Sequence, residues 1–220
     1  MRTKDQVLEI VRRLEEAYPL AECTLDYKKD YELLFSVRLA AQCTDARVNE
    51  ITPALFPTLQ SFAEADVAEV EEYVHSCGFY RAKARDIVGA AQMILRDFGG
   101  RVPDNMDDLL KLPGVGRKTA NVVAIVAFHQ SAMPVDTHVF RVSDRLGLTT
   151  GAKTPLQTEM QLTARIPAED LPAAHHWLIL HGRYVCTARK PHCEACGLKP
   201  WCRYFARSEA KSSRPQRQSQ

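Results

Sequence analysis

Leu112-Pro113-Gly114-Val115-Gly116-Arg117-Lys118-Thr119-Ala120 is the stretch that decides the reading of this chain. Two glycines flank one valine between two segments of helical pattern, residues 106–112 before them and about 117–128 after them. Glycine permits positive φ and leaves the backbone amides uncovered, so the stretch predicts a tight turn between two helices. The second helix begins with its N-terminus pointing out of that turn, and unsatisfied N–H groups there suit a phosphate. Such a contact would position a nucleic acid without reading its sequence. On the two glycines alone, an ordinary helix–turn–helix corner with glycine caps is the simpler explanation.

Helical periodicity extends outward from the turn in both directions. Val7, Ile10, Val11 and Leu14 predict a first helix that ends near Tyr18-Pro19. Residues 31–42 read as a buried helix with Leu33, Leu34, Val37 and Ala41 on its stripe. Thr44 can cap a helix with Val48, Ile51 and Leu55 on its face, and Val67, Val70 and Val74 mark another that Gly78 stops. Residues 81–98 use Ile87, Ala91, Ile94 and Leu95 and end at Gly99-Gly100; helices over 137–146, 155–164 and 171–185 follow, with Pro155 and Pro172 suited to first-turn positions. No alternating run is long enough for a strand, so the expected fold is all-α with about ten helices. Residues 207–220 are polar and charged, and a disordered tail is expected there.

Composition narrows the class. A chain of 220 residues with 45% hydrophobic content can bury a core, as one large domain or two intimate small ones. The net charge is only +2, so any nucleic-acid surface must come from local clustering of Lys and Arg. The longest strongly apolar run, residues 122–128, is too short to span a bilayer, and the charged amphipathic start is unlike a signal peptide; a cytosolic protein is expected. Seven cysteines is an odd count for a disulfide framework. Cys186, Cys193, Cys196 and Cys202 crowd into the last part of the chain, which in a reducing compartment points to a metal. Their C-x₆-C-x₂-C-x₅-C pattern holds one tight pair, where a structural zinc site commonly shows two; zinc and an iron–sulfur cluster both stay open on spacing alone. Cys23, Cys43 and Cys77 have no partners at metal spacing and are read as packing thiols.

Two residues carry candidate chemistry. Lys118 lies near the N-terminus of the helix after the turn and beside Arg117, where local positive potential favours a neutral, nucleophilic amine. Read by itself, it is more simply a surface lysine that binds phosphate as a point charge. Asp136, in Val135-Asp136-Thr137-His138-Val139-Phe140-Arg141-Val142, precedes a predicted helix and suits an N-cap. A capping aspartate is also held rigidly, as a carboxylate that stabilises a cationic transition state must be.

The Leu-Pro-Gly-Val-Gly run followed by Arg117-Lys118 resembles the helix–hairpin–helix motif of DNA glycosylases. Residues 112–123, 135–142 and 175–184 (His175-His176-Trp177-Leu178-Ile179-Leu180-His181-Gly182-Arg183-Tyr184) resemble the endonuclease III family in order and spacing. With the cysteines, the resemblance covers roughly residues 33–202. It implies two all-α lobes with the DNA cleft between them: a helical-barrel domain over 22–132 with the hairpin motif at about 106–128, and a discontinuous iron–sulfur domain over 1–21 and 133–206. Residues 1–20 should then pack with the C-terminal third. The resemblance implies that Lys118 is a Schiff-base nucleophile, Asp136 the essential carboxylate, and Cys186, Cys193, Cys196 and Cys202 the ligands of a [4Fe–4S] cluster. Adenine glycosylases of the same superfamily lack the lysine, so Lys118 favours the bifunctional branch that excises oxidised pyrimidines and cleaves the strand.

The implied partner is double-stranded DNA with damaged bases or abasic sites, bound by a monomer in the bacterial cytosol or nucleoid. Gly114, Val115 and Gly116 would grip a phosphate, as would Arg189 and Lys190 between the first two cysteines. Gln42 matches a glutamine that enters the space left by an extruded base, and Phe79 stands where an aliphatic wedge is common. Gln42 is equally a plain polar helix end, Phe79 a staple on its own helix, and Arg189 and Lys190 solvated loop charges. Two other readings are a monofunctional glycosylase that uses water and a non-catalytic DNA-binding module with a structural metal. Arg38 and Asp30 also depart from the family pattern, which is aliphatic and proline at those places; with the bulky Phe79, they bear on substrate range and turnover.

Overall fold

The structure, a computed structural model, describes residues 2–52 and 55–212. Among them there is no strand. The α-helices are α1 (Lys4–Ala17), α2 (Asp30–Ala40), α3 (Asp45–Ile51), α4 (Leu59–Glu64), α5 (Val67–Val74), α6 (Tyr80–Asp97), α7 (Met106–Leu109), α8 (Arg117–Val126), α9 (Thr137–Leu146), α10 (Pro155–Thr163), α11 (Leu171–Tyr184) and α12 (Arg203–Ser212). None is long and apolar enough to cross a membrane. The chain divides into two compact units: residues 23–132 form one, and the residues up to 22 join those from 133 onward in the other.

In the unit of residues 23–132, α6 is the long element against which α2, α4 and α5 pack, and α8 lies along α2. Its core holds Leu33, Leu34, Leu39, Ile87, Ile94 and Leu109, all at most 1% exposed. Tyr31, Phe35, Phe56 and Phe62 add a cluster of tilted and edge-on ring contacts. Each fully buried side chain of this size contributes roughly 1.5–3 kcal/mol. Lys83 also sits on the buried face of α6, wholly out of solvent. Its ammonium donates to the carbonyls of Leu39 at 2.8 Å and Ala41 at 2.5 Å, and so satisfies the C-terminal end of α2. Burial pushes the pKa of that ammonium down.

The other unit is built on α1, α9 and α11. Thr3 caps α1 in a capping box with Gln6, and the stripe of Val7, Ile10, Val11 and Leu14 packs into a core with Val139, Val142, Leu146, Trp177 and Leu178. The N-terminal helix thus packs with the C-terminal third of the chain. Asp136 caps α9, and Gly147 ends it at φ +81° with its amide bonded to Ser143 and Asp144. Gly182 lets α11 approach α9 closely: a Cβ there would lie 2.9 Å from His138 Cβ and 3.1 Å from Val142 Cγ2.

Some expectations shift at element ends. Helix α2 stops at Ala40, so Gln42 lies beyond it in a loop. Leu55 is buried but falls after α3. Residues 207–212, placed in the tail by composition, continue α12; residues 213–220 lie outside the described residues.

Candidate active site and metal centre

The hairpin takes its shape from α6 as much as from its own glycines. Gly114 has φ +72°, and a Cβ there would lie 2.5 Å from Asp86 Oδ2 and 2.7 Å from Arg38 Nε, so glycine is required on two counts. One helical turn along α6, Gly89 leaves room for Pro113, whose Cγ would lie 3.3 Å from an added Cβ. Val115 is buried and its amide bonds Leu112 O at 3.1 Å, which anchors the turn and leaves Gly114 and Gly116 at the surface. Gly116 is the N-cap of α8 in extended geometry, with nothing within 4 Å of an added Cβ. Lys118 follows as the second residue of α8 and is exposed. Arg38, an unexplained charge in an apolar helix by sequence, is paired: its Nε and Nη2 both donate to Asp86 Oδ2, at 2.8 and 2.5 Å.

The same unit brings Gln42 and Phe79 together. Both are non-glycine residues at positive φ, +59° and +58°. Such geometry costs of order 1–3 kcal/mol and persists only where the surroundings impose it. Gly78, next to Phe79, lies close against Gln42: a Cβ there would lie 3.3 Å from Gln42 O. Phe79 is 68% exposed at the start of α6, and it does not staple onto that helix as a buried side chain would. Below these loops the Cys77 thiol donates to Cys43 at 3.3 Å, and burial, then the Cys43 neighbour, pushes Cys77 up to about 11.

In the second unit, Asp136 is half-buried and its Oδ1 accepts from Val139 N at 2.7 Å. Its other oxygen takes no part in the cap. The strand of backbone before it is tied down by buried His175, whose Nδ1 lies 2.9 Å from Pro134 O.

Cys186, Cys193, Cys196 and Cys202 come together where α11 ends and α12 begins. The segment between them holds two short 3₁₀ turns, Cys193–Ala195 and Lys199–Trp201, and buries little beyond Leu198 and Cys202. Burial is the first cause that pushes the Cys193 and Cys196 thiols upward, and the other cysteines of the set add to it. Four thiolates in this place therefore require a compensating positive centre.

Sequence reasoning missed the arginines that hold this segment. Arg145 on α9 donates to Thr187 O at 2.7 Å, Ala188 O at 2.8 Å and Cys186 Sγ at 3.4 Å. Arg141 donates to Gly182 O at 2.9 Å. Thr187 Oγ1 then closes the loop onto Lys190 O at 2.7 Å, leaving the Arg189 and Lys190 side chains exposed. His181 is buried and pushed down to about 4, so it is neutral near pH 7. Its Nδ1 lies 3.2 Å from Tyr18 OH and its Nε2 3.6 Å from Cys196 Sγ. A neutral ring that accepts from the tyrosine donates its one N–H to the sulfur.

The fold and the hairpin define a class: residues 35–168 match the HhH-GPD superfamily of base excision DNA repair proteins. Residues 186–202, from the first of the four cysteines to the last, match the iron–sulfur binding domain of endonuclease III. The chain is 48% identical over 203 residues to endonuclease III of Synechocystis sp., covering 90% of this chain and 92% of that protein. It is 43% identical over 204 residues to the Escherichia coli K12 protein of the same name, covering 91% and 96%. A solved structure of a trapped endonuclease III–DNA covalent intermediate superposes with a TM-score of 0.89 at 42% identity, covering 95% of this chain and all of that one. This chain belongs to the endonuclease III family.

Proposed function

We propose that this protein removes oxidised pyrimidines from duplex DNA and then cleaves the strand 3′ of the abasic site through a Schiff base on Lys118. The observation that carries this reading is an exposed lysine in the first turn of α8, directly after a turn that presents two surface glycines. A relative trapped covalently on DNA supports it. The N-terminal amides of α8 and the hairpin would hold a backbone phosphate, which places a sugar near the amine. The unprotonated Lys118 Nζ attacks C1′, the C1′–N bond breaks, and the base leaves with the bonding pair and takes up a proton. Ring opening gives an iminium, which acidifies C2′; loss of that proton expels the 3′ phosphate. Water then hydrolyses the imine and returns the lysine. Asp136, anchored by its capping bond, would face positive charge as it develops on the sugar. Gln42 and Phe79 would fill the place of the extruded base. The protein would act as a monomer in the cytosol.

The test is a panel of duplexes carrying thymine glycol, an alkylated purine or no lesion, incubated with and without borohydride. Base release, nicking and a covalent adduct are expected on thymine glycol alone. Base release with no adduct would instead mean that water is the nucleophile. Binding without base release would reduce the chain to a DNA-binding module.

The four cysteines would hold the [4Fe–4S] cluster, whose compact positive core bonds four thiolates. The segment they tie has little core of its own, so its order depends on that bond. Cys196→Ser is expected to remove the broad visible absorption. It should also make residues 186–202 open to proteolysis while helices α2–α8 keep their amide protection. Unchanged protection of residues 186–202 in protein without the visible band would show that the protein alone orders them.

A further inference from the structure

Asp86 is a carboxylate set against the very turn that is read as a phosphate grip. A Cβ on Gly114 would lie 2.5 Å from its Oδ2, so the carboxylate touches the hairpin backbone itself. That is well inside the roughly 8–10 Å over which salt leaves charges exposed to one another. An uncompensated charge there would repel a DNA phosphate. Arg38 removes the repulsion: two of its nitrogens converge on that same oxygen, and both side chains are about three-quarters buried. The guanidinium is always protonated and comes from α2, while the carboxylate comes from α6, so the pair also spans the two helices beneath the turn.

We propose that the Arg38–Asp86 pair is a neutral pedestal for the hairpin, in which Arg38 sets phosphate affinity by cancelling Asp86 and both position the turn at Gly114. Arg38 lies in the mostly apolar run Leu33 to Ala40 of α2, and this is the role that makes its burial worthwhile. The inference rests on the reading of the hairpin as a phosphate grip.

The two partners act on DNA with opposite signs, and a merely mechanical strut would not. Arg38→Leu leaves Asp86 uncompensated and is expected to weaken binding to a labelled duplex with a tetrahydrofuran abasic analogue by roughly tenfold. Asp86→Asn frees the guanidinium for the phosphate; it is expected to tighten binding severalfold and to steepen the salt dependence by about 0.9 in log Kd per log salt. The double variant Arg38→Leu/Asp86→Asn should recover most of the affinity lost by Arg38→Leu. Melting temperatures of all three separate affinity from folding. If both single variants weaken binding in step with lost stability, the pair is only a strut and the inference falls. Gly116→Asp tests the underlying reading: the site is sterically open and aspartate is a good N-cap, so the acid enters the grip without harming α8. Should Gly116→Asp bind DNA as the parent does, the hairpin grips no phosphate and both readings fall. Should it lose binding while the pair shows no opposite signs, the pedestal alone is wrong.

Discussion

Lys118→Ala is expected to abolish the borohydride-trapped adduct and to lower nicking at an abasic site by about 10³-fold or more, because no other group replaces a covalent nucleophile. Folding should be spared. The residue is exposed at the second position of α8, alanine is the better helix former, and surface replacements of this kind stay within about 0.5 kcal/mol. Lys118→Arg makes the sharper experiment. It keeps a cation for the phosphate, yet a guanidinium is never deprotonated and cannot attack carbon. If Lys118 were only a phosphate ligand, the arginine variant would nick like the parent and the alanine variant would fail through Kd. On the nucleophile reading both variants lack adduct and nicking, and only alanine loses affinity, by a few-fold. Single-turnover nicking at saturating duplex, with Kd measured alongside, separates the two.

Much of this architecture was legible because local signals agreed with one another. Helix α9 runs over Thr137–Leu146, the range its pattern gives, since a strong cap at Asp136 and a glycine at 147 fix both ends. Helix α4 shows no period in the sequence because its six residues bury only Leu59 and Phe62; its Thr58 cap is the available signal. Helix α12 was hidden by a composition that also suits a tail. The apolar stripe runs on to Ala41, but α2 ends at Ala40 and Gln42 turns to φ +59° in the loop, a conformation that its own propensity does not announce.

The site divides along the same line. Lys118, Asp136 and the cysteines stand out in sequence because turn, cap and spacing are local. Lys83, Arg38, Arg141 and Arg145 act on backbone or side chains tens of residues away, and such partners are invisible until the chain folds. A faint trace of Lys83 was present all the same: it lies four residues before Ile87, on the apolar stripe of α6, where a solvated lysine has no place.

Asp136→Asn isolates charge from structure more cleanly than any other change in the second unit. Asparagine caps a helix about as well as aspartate, and its amide oxygen can keep the 2.7 Å bond to Val139 N. What it loses is the negative charge. At a helix N-terminus that charge stabilises by roughly 0.3–1 kcal/mol, so the melting temperature should fall only slightly. Base excision, in contrast, is expected to fall about 10²–10³-fold, the usual consequence of deleting one fixed electrostatic stabiliser of a transition-state charge. Asp136→Ala removes the cap as well and should cost about 1 kcal/mol of stability with no larger loss of rate than asparagine gives. The second carboxylate oxygen, which takes no part in the cap, is the atom that would face the sugar. Excision by the asparagine variant at the parent's rate would leave Asp136 as a cap and nothing more, and the cation on deoxyribose would need another counter-charge.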